Sequence, residues 1–193
     1  MLNKQYTSML QEKDVIFEIF QYATERAKVV GAENIYDFSL GNPSVPAPSI
    51  VNETIVQKVN TLDPLALHGY SPSFGIMETR EKIAVFLNKK YGSSYKASNI
   101  FMAIGAAGAL AHAFRAVTNP GDEIITFAPC FSEYKPYTAG AGLKLTIIPA
   151  DIDTFQINFA AFEAQLNENT TAVLINSPNN PSGIVYSTET IKK

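Results

Sequence analysis

The chain has 193 residues, of which 46% are hydrophobic and 17% charged, and its formal net charge is −3. This composition is that of an ordinary globular protein, it offers no basic surface for nucleic acid, and no apolar run approaches the ~20 residues that a membrane span needs. The N-terminal residues lack the basic-then-apolar order of a secretory signal, and the single cysteine, Cys130, cannot form an internal disulfide. A cytoplasmic location is therefore the simplest expectation.

Helices joined by loops rich in proline and glycine are predicted for the first part of the chain. Apolar residues recur at helical spacing from about residue 12 to residue 30, and Gly31 is placed to end that helix. Residues 35–40 alternate between apolar and polar side chains, which predicts a short strand. Prolines at positions 43, 46 and 48 keep the next segment extended, and a change of structural unit is predicted there.

Two longer helices are predicted before residue 92. Ser49 offers an N-cap for a helix that continues through about residue 60. Its inner face would hold three apolar residues, Ile50, Ile55 and Val59. The second helix is predicted from about residue 76 to residue 91, and Arg80 within it is most simply a solvated or paired surface charge.

Strand and helix alternate along the second half of the chain. Strands are predicted at residues 100–104, 123–127, 144–149 and 171–176. Helices are predicted at residues 105–117, 133–141 and 159–166, and Ser187 is placed to begin another. This order predicts an α/β domain with a largely parallel sheet and helices on both faces.

Three of the predicted strands run into unusual loops, at residues 105–108, 129–134 and 177–183. If the strands lie side by side, these loops meet at the carboxyl edge of the sheet, where ligands of such sheets bind. In the first loop, Gly105, Ala106 and Ala107 carry little or no side chain at the start of a helix, so a phosphate could approach the backbone N–H groups. The alternative is that the small residues only let the helix pack tightly.

The other two loops offer groups that suit a flat ring. Phe131 could stack on a heterocycle, or it could be a core residue. The third loop holds Asn180 before a proline, and its amide could donate to a ring oxygen, although the same composition is typical of a plain turn. A phosphate, an aromatic ring and a ring oxygen together indicate pyridoxal 5′-phosphate (PLP) rather than a nucleotide.

Five motifs carry a resemblance to a known family. Residues 176–183 read Asn-Ser-Pro-Asn-Asn-Pro-Ser-Gly, which resembles the Asn-x-Pro-x-Asn-Pro-[Thr/Ser]-Gly signature of the class I/II aminotransferases, PLP enzymes of fold type I. Residues 129–134 resemble the family's Pro-x-aromatic-x-x-Tyr segment, and residues 105–110 resemble its phosphate loop. Two further motifs resemble residues 40–43 and residues 70–75, the latter followed by Glu78 and Arg80. All five motifs occur along this chain in the family's order.

The resemblance implies a role for each matched cofactor residue. The backbone of Gly105, Ala106 and Ala107 would hold the PLP phosphate, Phe131 would stack on the pyridine ring, and Asn180 would hydrogen-bond the ring O3′. Many relatives carry a hydroxyl or amide side chain in the phosphate loop. Here both positions after Gly105 are alanine, so phosphate binding would depend more on backbone N–H groups and on residues elsewhere.

The resemblance also implies substrates, a partner and a domain division. Tyr70 would reach across a homodimer interface to the neighbouring subunit's phosphate, and Gly41 would lie near the carboxylate of the amino acid or 2-oxo acid substrate. Asn42 and Tyr70 would line the substrate side. Residues 1–48 would form an N-terminal arm and a segment of the small domain, and residues 49–193 the N-terminal half of the PLP-binding large domain, with a largely parallel, incomplete sheet.

The family's Schiff-base lysine lies well beyond the Asn-Pro-[Thr/Ser]-Gly motif, so the resemblance assigns no catalytic residue to this chain. Lys192 and Lys193 follow the motif too closely to be that lysine. The sequence is therefore expected to be the N-terminal half of a longer aminotransferase and inactive alone. By the family's topology, residues 100–104 would be separated from the other strands by strands that this chain lacks.

Several alternatives remain open at the level of sequence. Another fold type I PLP enzyme, such as a carbon–sulfur lyase or a decarboxylase-like relative, would share these loops. A non-catalytic interaction fragment could contribute Tyr70 and the N-terminal helix to a partner. A Rossmann dehydrogenase is disfavoured because the Gly/Ala stretch does not fit Gly-x-Gly-x-x-Gly and lies mid-chain. Cys130 could be a reactive thiol or a small buried residue, and no metal site is predicted.

Overall fold

The computed structural model describes residues 4–9, 15–39, 41 and 43–193. The chain divides into two compact units, Met1–Ile76 and Met77–Lys193, which we call the helical unit and the sheet unit. The domain division expected at residues 48 and 49 stays a prediction. Within the part of the chain that the structure describes, no helix combines the length and the apolar character that crossing a bilayer requires.

The helical unit confirms the helices predicted for it. Its described helices are α1 (Lys4–Met9), α2 (Val15–Val30), α3 (Ser49–Thr61) and α4 (Pro64–His68). Helix α2 ends where predicted, because Gly31 takes a φ of 88° and donates its N–H to the Ala27 carbonyl at 2.9 Å. The predicted start of this helix near residue 12 lies outside the described residues.

Two details of α3 differ from the prediction. Ser49 is the first helical residue rather than the N-cap; Pro48 occupies that position and accepts the N–H of Val51 through its carbonyl. The predicted inner face is exposed in this unit. Its residues are exposed by 61%, 57% and 58%: Ile50, Ile55 and Val59.

The strand predicted at residues 35–40 is wrong for the residues described there. Residues 35–38 are not in a strand, and Tyr36 and Phe38 are 82% and 92% exposed. Asp37 bends the segment, since its Oδ1 accepts both the N–H and the hydroxyl of Ser39. Alternating side chains do not form a strand without a neighbouring strand to pair the backbone groups.

The sheet unit contains five helices and three strands in its element order. The helices are α5 (Met77–Tyr91), α6 (Gly105–Val117), α7 (Tyr134–Gly140), α8 (Phe159–Gln165) and α9 (Thr188–Lys192). The strands are β1 (Glu123–Phe127), β2 (Lys144–Ile148) and β3 (Thr170–Leu174), arranged β2-β1-β3 with both pairings parallel. These elements confirm the predictions for residues 105–193 to within one or two residues at each end.

Strand β1 is the centre of the core, since all five of its residues are buried. Alternation sends Ile124 to one face, where it packs with Phe114 of α6 and with residues of α7. On the other face, Ile125 and Phe127 pack against Phe162 of α8. The connection from β1 to β2 contains α7, and the connection from β2 to β3 contains α8 and runs in the opposite direction across the sheet. Because connections between parallel strands are right-handed, α7 and α8 lie on opposite faces. The prediction of helices on both faces is confirmed.

The buried strand predicted at residues 100–104 is wrong. The segment is extended at Ile100 and Ile104, but it pairs with no strand among the described residues. Its apolar side chains are exposed, by 50% at Phe101, 40% at Met102 and 95% at Ile104. The apolar run therefore has the composition of a buried strand without the neighbours that would bury it, as expected if the adjoining strands are absent.

The prediction that Arg80 is a surface charge is wrong. Only 9% of it is exposed, and its Nε donates a hydrogen bond of 2.8 Å to the Ile100 carbonyl. Long basic side chains pack their aliphatic stems along apolar surface, so their charge does not place them at the surface. Arg80 thereby fastens α5 to the extended segment that precedes α6.

Glu123 is a buried carboxylate at the amino edge of the sheet, only 2% exposed. Its Oε2 accepts a hydrogen bond and ion pair from Lys144 of β2. Its Oε1 accepts from Asn167 Nδ2 at 3.0 Å and from the Thr170 hydroxyl at 3.4 Å. The Lys144 hydrogen bond lowers the pKa of the Glu123 carboxyl, whereas burial acts in the opposite direction. This side chain therefore ties both outer strands to β1.

Replacing Glu123 with Gln should lower the free energy of unfolding by about 1–2 kcal/mol near neutral pH, since the ion pair is lost at constant volume. The pKa of Glu123 is lower in the folded than in the unfolded chain. Its contribution is therefore complete above the unfolded pKa and is lost as the pH falls through the folded pKa. Urea unfolding of both forms, at neutral pH and in acid, should show their difference shrinking as the pH falls below the unfolded pKa of this carboxyl.

The matched control is Glu25→Gln, which removes a carboxylate from an exposed ion pair with Lys28 on α2. This change should alter the unfolding free energy by less than about 0.5 kcal/mol at either pH. An equal effect of the two substitutions, or a Glu123 effect that persists unchanged in acid, would show that the buried carboxylate does not hold the strands as described.

Candidate functional site

Two of the three predicted loops leave the sheet at the same edge. Strands β1 and β3 are neighbours and run parallel, with Thr126 opposite Leu174, so both chains emerge at their carboxyl ends side by side. Tyr186, which follows the second of these loops, donates its N–H to Ser177 Oγ at 3.1 Å. Cys130 in the first loop contributes, after burial, to raising the pKa of the Tyr186 hydroxyl. The predicted convergence is thus observed for the loops that contain Phe131 and Asn180.

The loop after β1 places a partly buried aromatic ring beyond the strand. Ala128 remains bonded to the sheet through its N–H, which donates to the Ile148 carbonyl at 2.8 Å, and the Ala128–Pro129 peptide bond is cis. The Phe131 ring then meets Tyr134 edge to face, with centroids 5.8 Å apart and planes at 84°. An edge-to-face contact occupies only part of a ring and is compatible with a further aromatic partner.

The loop after β3 buries one of two adjacent asparagines and exposes the other. Asn179 is buried, and its Oδ1 accepts the N–H and the hydroxyl of Ser182 at 3.2 and 2.9 Å. Asn180 is exposed, and its carboxamide makes no hydrogen bond within the part of the chain that the structure describes. Gly183 permits the turn, since it takes a φ of 72° and donates its N–H to the Asn179 carbonyl.

The remaining predicted loop, at residues 105–108, opens α6 rather than following a strand of the sheet. Gly105, Ala106 and Ala107 are exposed, and no side chain caps the helix there. Gly105 takes a φ of 66°, and a Cβ at this position would find no atom within 4 Å. The remainder of α6 packs on β1 through Phe114. The open helix end thus belongs to the sheet unit, but the strand predicted before it is absent.

The two remaining predicted residues lie in the helical unit, so their relation to this edge stays a prediction. Tyr70 is fully exposed. Gly41 is also exposed, and a Cβ added to it would meet no atom within 4 Å. Asn42 lies outside the described residues.

Two tyrosines and the cysteine share buried surroundings that their sequence pattern does not indicate. Tyr134 and Tyr186 are each 7% exposed, and Cys130 is half-buried. Burial is the largest cause that raises the pKa of all three groups. Nothing in the local sequence distinguishes Tyr186 from Ile184 and Val185 before it, so its burial could not be predicted from the pattern.

The family model described as aminotransferase class I and II matches residues 32–193. The chain belongs to the class I and II aminotransferase family. The resemblance drawn from the five motifs is confirmed, and PLP is the cofactor of this family.

Curated relatives are similar over most of this chain. The aspartate aminotransferase of Thermotoga maritima is 33% identical over 168 residues, which are 86% of this chain and 44% of the relative. The probable aspartate aminotransferase of Methanocaldococcus jannaschii is 32% identical over 177 residues, which are 92% of this chain and 44% of the relative. The chain thus spans less than half the length of these relatives.

Solved structures show the same fold. An aminotransferase from Eubacterium rectale is 50% identical, with a TM-score of 0.93 over 100% of this chain and 48% of its own length. The Thermus thermophilus aspartate aminotransferase is 25% identical, with a TM-score of 0.84 over the same shares of the two chains. These similarities confirm the fold type I class, with a small parallel sheet that is not closed.

Cys130 should react slowly with iodoacetamide at neutral pH, because burial raises the pKa of its thiol and reduces the thiolate fraction. Lys135 acts in the opposite direction and has the smaller effect. Because the chain has one cysteine, the alkylation rate reports this thiol alone. Its pH profile in the folded chain should have a midpoint above that of the chain unfolded in urea; a midpoint at or below that value would contradict the buried setting.

Proposed function

We propose that this chain supplies the phosphate, ring and ring-hydroxyl contacts for PLP in an aminotransferase that passes an amino group between an amino acid and a 2-oxo acid. One observation carries the proposal: the loops that hold Phe131 and Asn180 leave neighbouring parallel strands at the same edge. The relatives named above are aminotransferases, which favours this reaction over a carbon–sulfur lyase or a non-catalytic role.

The start of α6 fits the phosphate of the cofactor. Its first-turn N–H groups belong to exposed small residues, no side chain caps them, and the space beside Gly105 is open. Such a helix end favours an anion through direct hydrogen bonds and through the helix dipole. Because Ala106 and Ala107 have no polar side chain, the backbone N–H groups would make this contact.

The two loops at the carboxyl edge fit the ring. Phe131 would stack on it, and the exposed Asn180 carboxamide would donate to its O3′. When bound, PLP supplies an electron-withdrawing ring that stabilises negative charge on the reacting carbon of the substrate. The residues of this chain bind and orient that ring; the lysine that the family uses for covalent attachment has no counterpart among these 193 residues.

The proposal extends to the helical unit and to the assembly. Tyr70, with its fully exposed ring, would contact the cofactor phosphate of a second subunit in a homodimer. Gly41 would lie near the substrate carboxylate, where the absence of a side chain leaves space. The cytoplasmic location expected from the sequence belongs to the same proposal.

The chain should bind pyridoxine 5′-phosphate, a PLP analogue whose alcohol cannot form a Schiff base with surface lysines. Phe131→Leu should weaken this binding by about 3- to 10-fold, because the stacking face is lost, whereas Phe131→Tyr should retain it within about twofold. Equilibrium dialysis measures both. The matched control is Phe86→Ala, which removes a 59%-exposed ring from α5 and should leave the affinity unchanged.

Pyridoxine without its phosphate should bind more weakly than the phosphorylated form by at least about tenfold, since the α6 contact is lost. If the wild-type chain binds neither compound, or if Phe131→Leu binds both as well as the wild type, the assignment of the cofactor to this edge fails.

The purified 193-residue chain should show no transaminase turnover above that of free PLP when it is given an amino acid and a 2-oxo acid. The reason is that no residue of the chain matches the lysine that attaches the cofactor in this family. The measurement is the formation of the new 2-oxo acid with time. Robust turnover by the chain alone would overturn the assignment of the catalytic lysine to a position outside it.

A further inference from the structure

The loop after β3 is anchored at its start by a side chain. Asn176 lies two residues beyond the end of β3, and its Oδ1 accepts a hydrogen bond of 2.8 Å from the backbone N–H of Asn180. This bond spans three intervening residues. The backbone of Asn180 is therefore tied directly to the residue that continues the strand.

A second set of hydrogen bonds joins Asn179, which precedes Asn180, to the residues that follow it. The buried Asn179 side chain accepts two hydrogen bonds from Ser182, and its backbone N–H donates to the Ile184 carbonyl at 2.9 Å. The Asn179 carbonyl also accepts the N–H of Gly183 at 2.8 Å. Asn180 thus lies between two fixed points, while its own carboxamide stays exposed to solvent.

We propose that Asn176 is a positioning residue: its carboxamide holds the Asn180 backbone at the end of β3, so that the exposed Asn180 side chain is oriented toward the ring hydroxyl of the cofactor. This inference rests on the proposed function, which gives Asn180 that hydroxyl as its partner. A backbone that is ordered before binding loses less conformational entropy when its side chain forms a hydrogen bond.

A positioning role differs in a measurable way from simple closure of a turn. If Asn176 only keeps the loop folded, its loss disturbs the whole edge and weakens every ligand that binds there. If it orients Asn180, its loss weakens a ligand that carries the ring hydroxyl and leaves unaffected a ligand that lacks it.

The first measurement is amide hydrogen exchange at Asn180, followed by NMR. Asn176→Ala should increase the exchange rate of this N–H by about fivefold or more, because the acceptor is removed. Asn176→Asp retains an oxygen at the same place and should preserve the protection. Asn88→Ala is the matched control: it removes a carboxamide oxygen that accepts the backbone N–H of Tyr95 at 2.7 Å, a bond of the same kind outside this loop, and it should leave the Asn180 exchange rate unchanged.

The second measurement compares two ligands by equilibrium dialysis: pyridoxine 5′-phosphate and its analogue without the 3-hydroxyl. Asn176→Ala should weaken the first by about fivefold, which is the net worth of one hydrogen bond, and should change the second by less than about twofold. Asn180→Ala should give the same pattern, and the double substitution should add little to either, because both residues act on the same contact.

The possible results are distinguishable. If the exchange rate of the Asn180 N–H is unchanged in Asn176→Ala, Asn176 does not hold the Asn180 backbone, and the inference is overturned. Equal weakening of both ligands shows loop closure instead of positioning, and it overturns the inference while leaving the cofactor site in place. If the wild-type chain binds neither ligand, the proposed function fails, and the positioning role fails with it even where the exchange data show the tether.

Discussion

Burial of β1 on both of its faces fixes the arrangement of the sheet unit. A strand whose successive residues, Ile124 and Ile125, are both fully buried must be covered by apolar groups from two sides. Helices α6 and α7 cover one side, and α8 covers the other. The chain can supply both layers only by crossing the sheet in opposite directions after β1 and after β2. The parallel pairing that results brings the carboxyl ends of all three strands to one edge.

The two edges of this sheet are stabilised by different means. At the amino edge, the buried carboxylate of Glu123 joins β1 to Lys144 and to the turn before β3, and its pKa is lowered by that contact. At the carboxyl edge, the loops are held by side chains that bond to backbone groups, such as Asn179, and by the edge-to-face contact of Phe131 with Tyr134. A ligand at the carboxyl edge therefore meets polar groups that the sheet does not use.

The strands of the sheet unit could be predicted because each is a short apolar run between turn residues and pairs with another such run. The same patterns at residues 35–40 and 100–104 failed, since strand formation also depends on partners that a local pattern does not reveal. The prediction that Arg80 lies at the surface was wrong because its charge was taken as a sign of exposure. The motifs are the basis for the proposed cofactor residues, but they do not predict the burial of Asn179 beside the exposed Asn180: the two identical residues differ in the hydrogen bonds of their side chains.

The three proposed cofactor contacts differ in how far the sequence can tune them. The phosphate contact uses backbone N–H groups, because Ala106 and Ala107 offer no side-chain donor, and proline is the one substitution that removes such a group. The ring and hydroxyl contacts use side chains, Phe131 and Asn180, whose strength depends on their orientation. Orientation is the property that a loop supplies least well by itself, since loops have few buried contacts. Hydrogen bonds within the loop, such as that from the Asn180 N–H to Asn176, thus fix the backbone that carries the Asn180 carboxamide relative to the end of β3.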